Sequence, residues 1–100
     1  MQENEDHFKI LRKIKKNPES TQRELAEMLG FSLGKLNYCL RAQRIKGLIK
    51  IKNFSNNSNK INYIYVLTPK GIATKTKLTI NFMKKKMKEY DKLKSEIKDK

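Results

Sequence analysis

A chain of 100 residues fits one domain of ordinary size and leaves no room for a separate catalytic or ligand-binding domain beside it. Lys and Arg number 24 against 10 Asp and Glu, a formal net charge of +14, which is more than solubility requires and points to a polyanionic partner. One Cys and one His exclude an internal disulfide and a structural zinc site of four protein ligands. No apolar run approaches the roughly 20 residues that span a bilayer, and the stretch Met1 to His7 is polar rather than signal-like, so the expected location is the cytoplasm.

In chain order, Phe8, Ile10, Leu11 and Ile14 recur at helical spacing until Asn17-Pro18, predicting a first helix from about Glu5 to Lys16. Thr21 followed by Glu24 is a capping box that starts a short second helix, with Leu25, Met28 and Leu29 as its buried stripe and Gly30 as its end. After the turn Gly30-Phe31-Ser32, the Ser32 hydroxyl can cap a third helix from about Leu33 to Lys46, stopped by Gly47. Two helices joined this tightly make a helix-turn-helix. Leu48 to Phe54 and Ile61 to Leu67 are β-branched and aromatic around a polar Ser/Asn turn, and predict a β-hairpin wing. Thr68-Pro69 opens a last helix that can run to about Lys98. The fold class is therefore α+β, mainly α: a winged helix-turn-helix of three helices, a two-stranded hairpin and a long C-terminal helix. Residues 1–75 are read as the DNA-binding domain and 76–100 as a dimerising extension of the last helix.

The charge is placed as well as abundant. No Asp or Glu occurs between Glu27 and Glu89, and the 14 cations in that interval equal the whole net charge. On helix three, Leu36, Cys39, Leu40 and Gln43 share one side, and Leu33, Gly34, Lys35, Asn37, Tyr38 and Arg41 form the expected recognition set. Lys35 and Arg41 can donate to guanine edges or phosphates, Asn37 can read adenine or satisfy a backbone group, and Tyr38 can meet DNA or pack on helix two. Gly34 permits close backbone approach. Expected backbone and wing contacts are Thr21, Ser32, Arg44, Lys50, Lys52, Asn56, Asn57 and Lys60, the asparagines also being ordinary turn residues.

Along the last helix Ile72, Thr76, Thr79, Ile80, Met83, Met87, Tyr90, Leu93 and Ile97 lie on one stripe, too long for a core of this size to cover. Ile80, Met83, Met87, Tyr90, Leu93 and Ile97 are the expected dimerisation residues. Lys84-Lys85-Lys86 points around the helix and reads as a mostly solvated face. Cys39 reads as a small core hydrophobe, and His7 has no partner at nucleophile or metal-ligand spacing. No phosphate loop, paired acid/base carboxylates or HExxH motif is present, so neither an enzyme nor a cofactor is expected.

The stretches 20–26 (STQRELA), 31–40 (FSLGKLNYCL), 46–51 (KGLIKI) and 65–72 (YVLTPKGI) together resemble the MarR-type regulators, and among them the small branch found with exopolysaccharide (EPS) biosynthesis genes in bacteria. That resemblance implies a dimeric DNA-binding regulator with Leu33 to Lys46 as recognition helix and Lys50 to Ile64 as wing. Two departures stand out: the chain is shorter than typical MarR proteins and lacks their extended dimerisation helices, and Gln43 occupies a position where an apolar residue is expected. The reading reached is a sequence-specific regulator, most simply a repressor, that binds double-stranded DNA as a homodimer without metal or membrane and with any effector unknown. A winged-helix module docking an acidic protein partner is the alternative.

Overall fold

The computed structural model describes residues 2–55 and 61–98, with side chains placed for 5–53 and 63–98. Its elements are α1 (Gln2–Lys16), α2 (Gln22–Leu29), α3 (Leu33–Ile45), β1 (Ile49–Ser55), β2 (Ile61–Leu67) and α4 (Pro69–Lys98), the winged helix-turn-helix order. The expected boundaries shift by a few residues: α1 starts at Gln2, α3 ends at Ile45 with Lys46 as cap, and β1 is offset by one residue. The offset has a local cause. Gly47 takes φ 75°, which a side chain resists, and the Leu48 amide turns back to donate to the Gln43 carbonyl at 2.9 Å, so the strand begins one residue later.

The two short helices are fixed by their caps. At α2 the Thr21 hydroxyl accepts from the Glu24 amide at 3.2 Å while Glu24 Oε1 accepts from the Thr21 amide at 3.1 Å. Gly30, at φ 70°, closes the other end by sending its amide back to Ala26 and Glu27. At α3 the Ser32 hydroxyl accepts from the Lys35 amide at 3.1 Å. Each side-chain cap satisfies an amide that the helix itself leaves open, a gain of about 1 kcal/mol.

Ile10, Leu11 and Ile14 of α1, Leu25 and Ala26 of α2, Leu36, Cys39 and Leu40 of α3, and Leu48 and Ile49 form one buried cluster. Met28, read as part of the buried stripe of α2, is instead 40% exposed. Gln43 is fully enclosed, and Nε2 donates to the His7 backbone carbonyl at 3.2 Å, so this polar residue ties the recognition helix to α1. That carbonyl keeps a second lone pair after its helical bond, and an aliphatic side chain could not use it. His7 is itself buried on the inward side of α1, although its polar surroundings in the sequence give no sign of that.

β1 and β2 pair antiparallel from Ile49↔Leu67 to Ser55↔Ile61. Ile49, Tyr65 and Leu67 share the face that meets the core, and Lys50 and Lys52 point the other way. Thr68 joins the wing to α4: its amide donates to the Leu48 carbonyl at 3.0 Å, its hydroxyl donates to the Gly47 carbonyl at 2.6 Å, and the same oxygen accepts from the Gly71 amide at 3.0 Å. Further along α4, Phe82 meets Phe8 of α1 with ring centroids 5.5 Å apart, and Lys85 Nζ lies 3.9 Å from Glu5 Oε1. Past Phe82 every described α4 residue is exposed, and the projecting helix gives the molecule overall extents of 66 × 25 × 23 Å.

Candidate nucleic-acid interface

The inward side of α3 is taken by Leu36, Cys39, Leu40 and Gln43, so its remaining surface is turned outward. Tyr38 is 71% and Ile45 77% exposed, and Asn37, Arg41 and Arg44 are also exposed. Arg41, Arg44 and Ile45 of α3 share a shallow groove of about 530 Å³ with Ile49, Lys50 and Ile51 of β1. A second groove of about 420 Å³ adjoins it, lined by Asn37, Leu40, Arg41, Arg44 and Tyr65. The fold therefore brings recognition-helix and wing-strand cations to one concave surface, with Lys52 exposed two residues along the strand from Lys50. Asn56, Asn57 and Lys60 lie outside the described residues.

Four expected residues are already engaged within the domain. Lys35 Nζ is 3.2 Å from Asp6 Oδ2 and 4.2 Å from the centroid of the Phe31 ring. The Asn37 Oδ1 accepts from Gln22 Nε2 on α2, leaving the Asn37 amide group outward as a donor. Ser32, like Thr21, uses its hydroxyl oxygen as a cap and retains only its O–H to offer a phosphate. The Lys35–Asp6 pair is partly exposed and worth at most about 1 kcal/mol, so a phosphate could compete for the ammonium. Gln22 is the residue that sequence reasoning missed. It is 15 positions from Asn37, and no periodicity links the two.

The Glu24 carboxyl is held below its ordinary pKa, chiefly by the hydrogen bond from the Thr21 backbone amide and then by the Thr21 side chain. Because the folded pKa is depressed, the cap is at full strength at neutral pH and is lost as acid protonates the carboxylate. From Met28 to Lys88 no acid contributes to the field of α3 and β1. The remaining glycine on this face, Gly34, has open space where a Cβ would stand. Gly34→Ala is therefore expected to raise stability by up to about 0.5–1 kcal/mol in thermal unfolding. The same change is expected to weaken duplex binding in a gel-shift titration if the backbone of the first turn lies against DNA, whereas unchanged binding places DNA farther away.

Among the described residues no group of three or more His, Cys, Asp or Glu is arranged to hold a metal ion, and no helix is long and apolar enough to cross a membrane.

Residues 4–50 match the family model described as winged helix-turn-helix DNA-binding. No curated protein matches the chain. Among solved structures, the fold is similar to that of Staphylococcus aureus MarR in complex with salicylate and kanamycin, with a TM-score of 0.70 and 22% identity over 87% of this chain and 57% of that one. It is similar to a MarR family transcription regulator with a TM-score of 0.69 and 20% identity, over 91% of this chain and 66% of the other. It also resembles Lactococcus lactis ZitR in complex with DNA, with a TM-score of 0.63 and 22% identity over 87% of this chain and 57% of that one. The chain thus spans between 57% and 66% of the length of these structures. These similarities show that it has the winged-helix fold of MarR family regulators.

Proposed function

We propose that the chain is a MarR-type transcriptional regulator that binds double-stranded DNA as a homodimer. The observation that carries this reading is the acid-free concave surface where Arg41 and Arg44 of α3 meet Lys50 of β1. A helix of this kind fits a major groove, and a basic strand beside it fits the flanking phosphates. In this reading Tyr38, Arg41 and the free amide of Asn37 approach base edges. Lys35, Arg44, Lys50 and Lys52 neutralise phosphate, with Thr21 and Ser32 donating their hydroxyl protons. Leu33 and Gly34 provide the close backbone approach, and Asn56, Asn57 and Lys60 complete the wing. The DNA-bound ZitR structure supports the duplex as ligand by analogy of fold.

Residues 1–75 act as the DNA-binding domain and 76–100 as the dimerising extension. Ile80, Met83, Met87, Tyr90, Leu93 and Ile97 are between 47% and 74% exposed, an apolar stripe that one subunit leaves uncovered. Two recognition helices then meet half-sites about 34 Å apart on a near-palindrome. Occupancy of a promoter is read as repression, and the target genes as those of exopolysaccharide synthesis.

Two measurements test these parts. Duplex affinity is expected to fall by roughly 10³–10⁵ between 50 and 200 mM salt if 6–10 phosphates are neutralised. A shallow salt slope, or preference for structured RNA, would overturn the DNA reading. Deleting residues 93–100 is expected to shift the protein toward monomer in sedimentation, because Leu93 and Ile97 leave with the segment. An unchanged dimer would place the interface elsewhere.

A further inference from the structure

The stripe on α4 has an internal pattern that sets more than the presence of a partner. Thr76, Ile80, Met83, Met87, Tyr90, Lys94 and Ile97 follow one another at alternating spacings of four and three residues, the repeat of a two-helix seam. At about 100° per residue this seam lies roughly 130° around the helix from the side on which Gly71, Leu78 and Phe82 face the body of the domain. Among the described residues nothing covers it. Ile80, Met83, Met87, Tyr90 and Ile97 are all exposed.

Charge along α4 is uneven. Lys84, Lys85, Lys86 and Lys88 come first without an acid among them, and Glu89, Asp91 and Glu96 all follow. Within the subunit only part of this is offset, Lys86 lying 3.5 Å from Glu89 and Lys85 3.9 Å from Glu5. Two such helices paired in parallel would set one basic run beside the other and place Lys94 against its own copy inside the seam. Paired antiparallel, the basic run of each helix lies along the acid-bearing half of its partner.

We infer that two copies of the chain join through antiparallel α4 helices, with Ile80 against the partner's Ile97, Met83 against the partner's Lys94 and Met87 against the partner's Tyr90. This deepens the dimer reading above and rests on it. In this register Lys84 flanks the seam opposite the partner's Asp91, and the symmetry repeats the pair. The methylene stem of Lys94 covers Met83 while its ammonium reaches water at the edge. The arrangement also puts the two strongly basic winged domains at opposite ends of the seam instead of side by side, which lowers their mutual repulsion.

Disulfide trapping reads the orientation directly. In a Cys39→Ala background, Ile80→Cys and Ile97→Cys are made separately, and sedimentation first confirms that each still forms the dimer. Under mild oxidation neither variant alone is expected to cross-link, whereas an equimolar mixture after subunit exchange gives a covalent dimer on a non-reducing gel. Self-cross-linking of Ile80→Cys would overturn the antiparallel arrangement and leave the dimer standing. A dimer in which neither the single variants nor the mixture cross-link would overturn the register. A monomer for the unmodified chain in sedimentation would remove the dimer reading itself, and this inference with it.

Discussion

Gly71→Ala is expected to destabilise the fold more than any other single methyl addition at a glycine of this chain. A Cβ on Gly71 would stand 1.9 Å from the Leu48 carbonyl oxygen and 2.9 Å from its carbon. Neither atom can yield as a side-chain tip would. That oxygen accepts from the Thr68 amide at 3.0 Å, and the neighbouring Gly47 carbonyl accepts from the Thr68 hydroxyl at 2.6 Å. The helix must therefore move off the wing base, and both bonds with the Thr68 cap go with it. Overpacking of this kind costs about 1–3 kcal/mol, occasionally more, and backbone contact puts the expected loss at the upper end. For a domain of this size that lowers Tm by on the order of 10–20 °C in a calorimetric scan. A Tm within a few degrees of the parent would mean that α4 does not pack on Leu48 in solution. Gly34→Ala, made on the open face of α3, is the contrasting case, expected to change stability in the opposite direction.

Arg41→Ala is expected to reduce affinity for the specific site by roughly 5- to 150-fold, the loss of one base contact worth about 1–3 kcal/mol, while affinity for random duplex changes much less. Arg41 lines both grooves between α3 and the wing, and it makes no ion pair among the described residues. Lys35→Ala is the informative companion. Because Lys35 already pairs with Asp6, part of its charge is offset before DNA arrives, and a smaller loss is expected than at Arg41. Gel-shift titrations on specific and random DNA separate the two roles. Equal losses on both DNAs would make Arg41 a phosphate contact.

Most of the fold was legible because it is written in short-range chemistry. The Thr21–Glu24 box, the Ser32 cap, Gly30 and Gly47 at helix ends and the Thr68-Pro69 start each act within a few residues, and each stands where the spacing places it. The inward side of α3 was equally readable, Gln43 included, since the 3.6-residue period fixes which positions face the core. What Gln43 does there was not. Its partner is the backbone of His7, 36 residues away, and nothing in either local pattern records the contact.

Met28 failed for a related reason: helical spacing alone assigned it to the stripe, but only Leu25 and Ala26 of α2 are buried, and Met28 stands in an open cleft beside Lys9, Arg12 and Lys16 of α1. In the candidate site the outward cations followed from composition and periodicity. The pairings that occupy Lys35 and Asn37 depend on how α1, α2 and α3 approach one another, and that lies beyond any one-dimensional signal.

The central claim, that this acid-free surface reads duplex DNA, is tested most directly by measuring binding of the purified chain to the DNA upstream of its own gene and to random duplex of equal length, each at two salt concentrations. Selective binding to the upstream DNA, weakening steeply with salt, is the predicted result. Equal, weak binding to both duplexes, or binding that ignores salt, would contradict it.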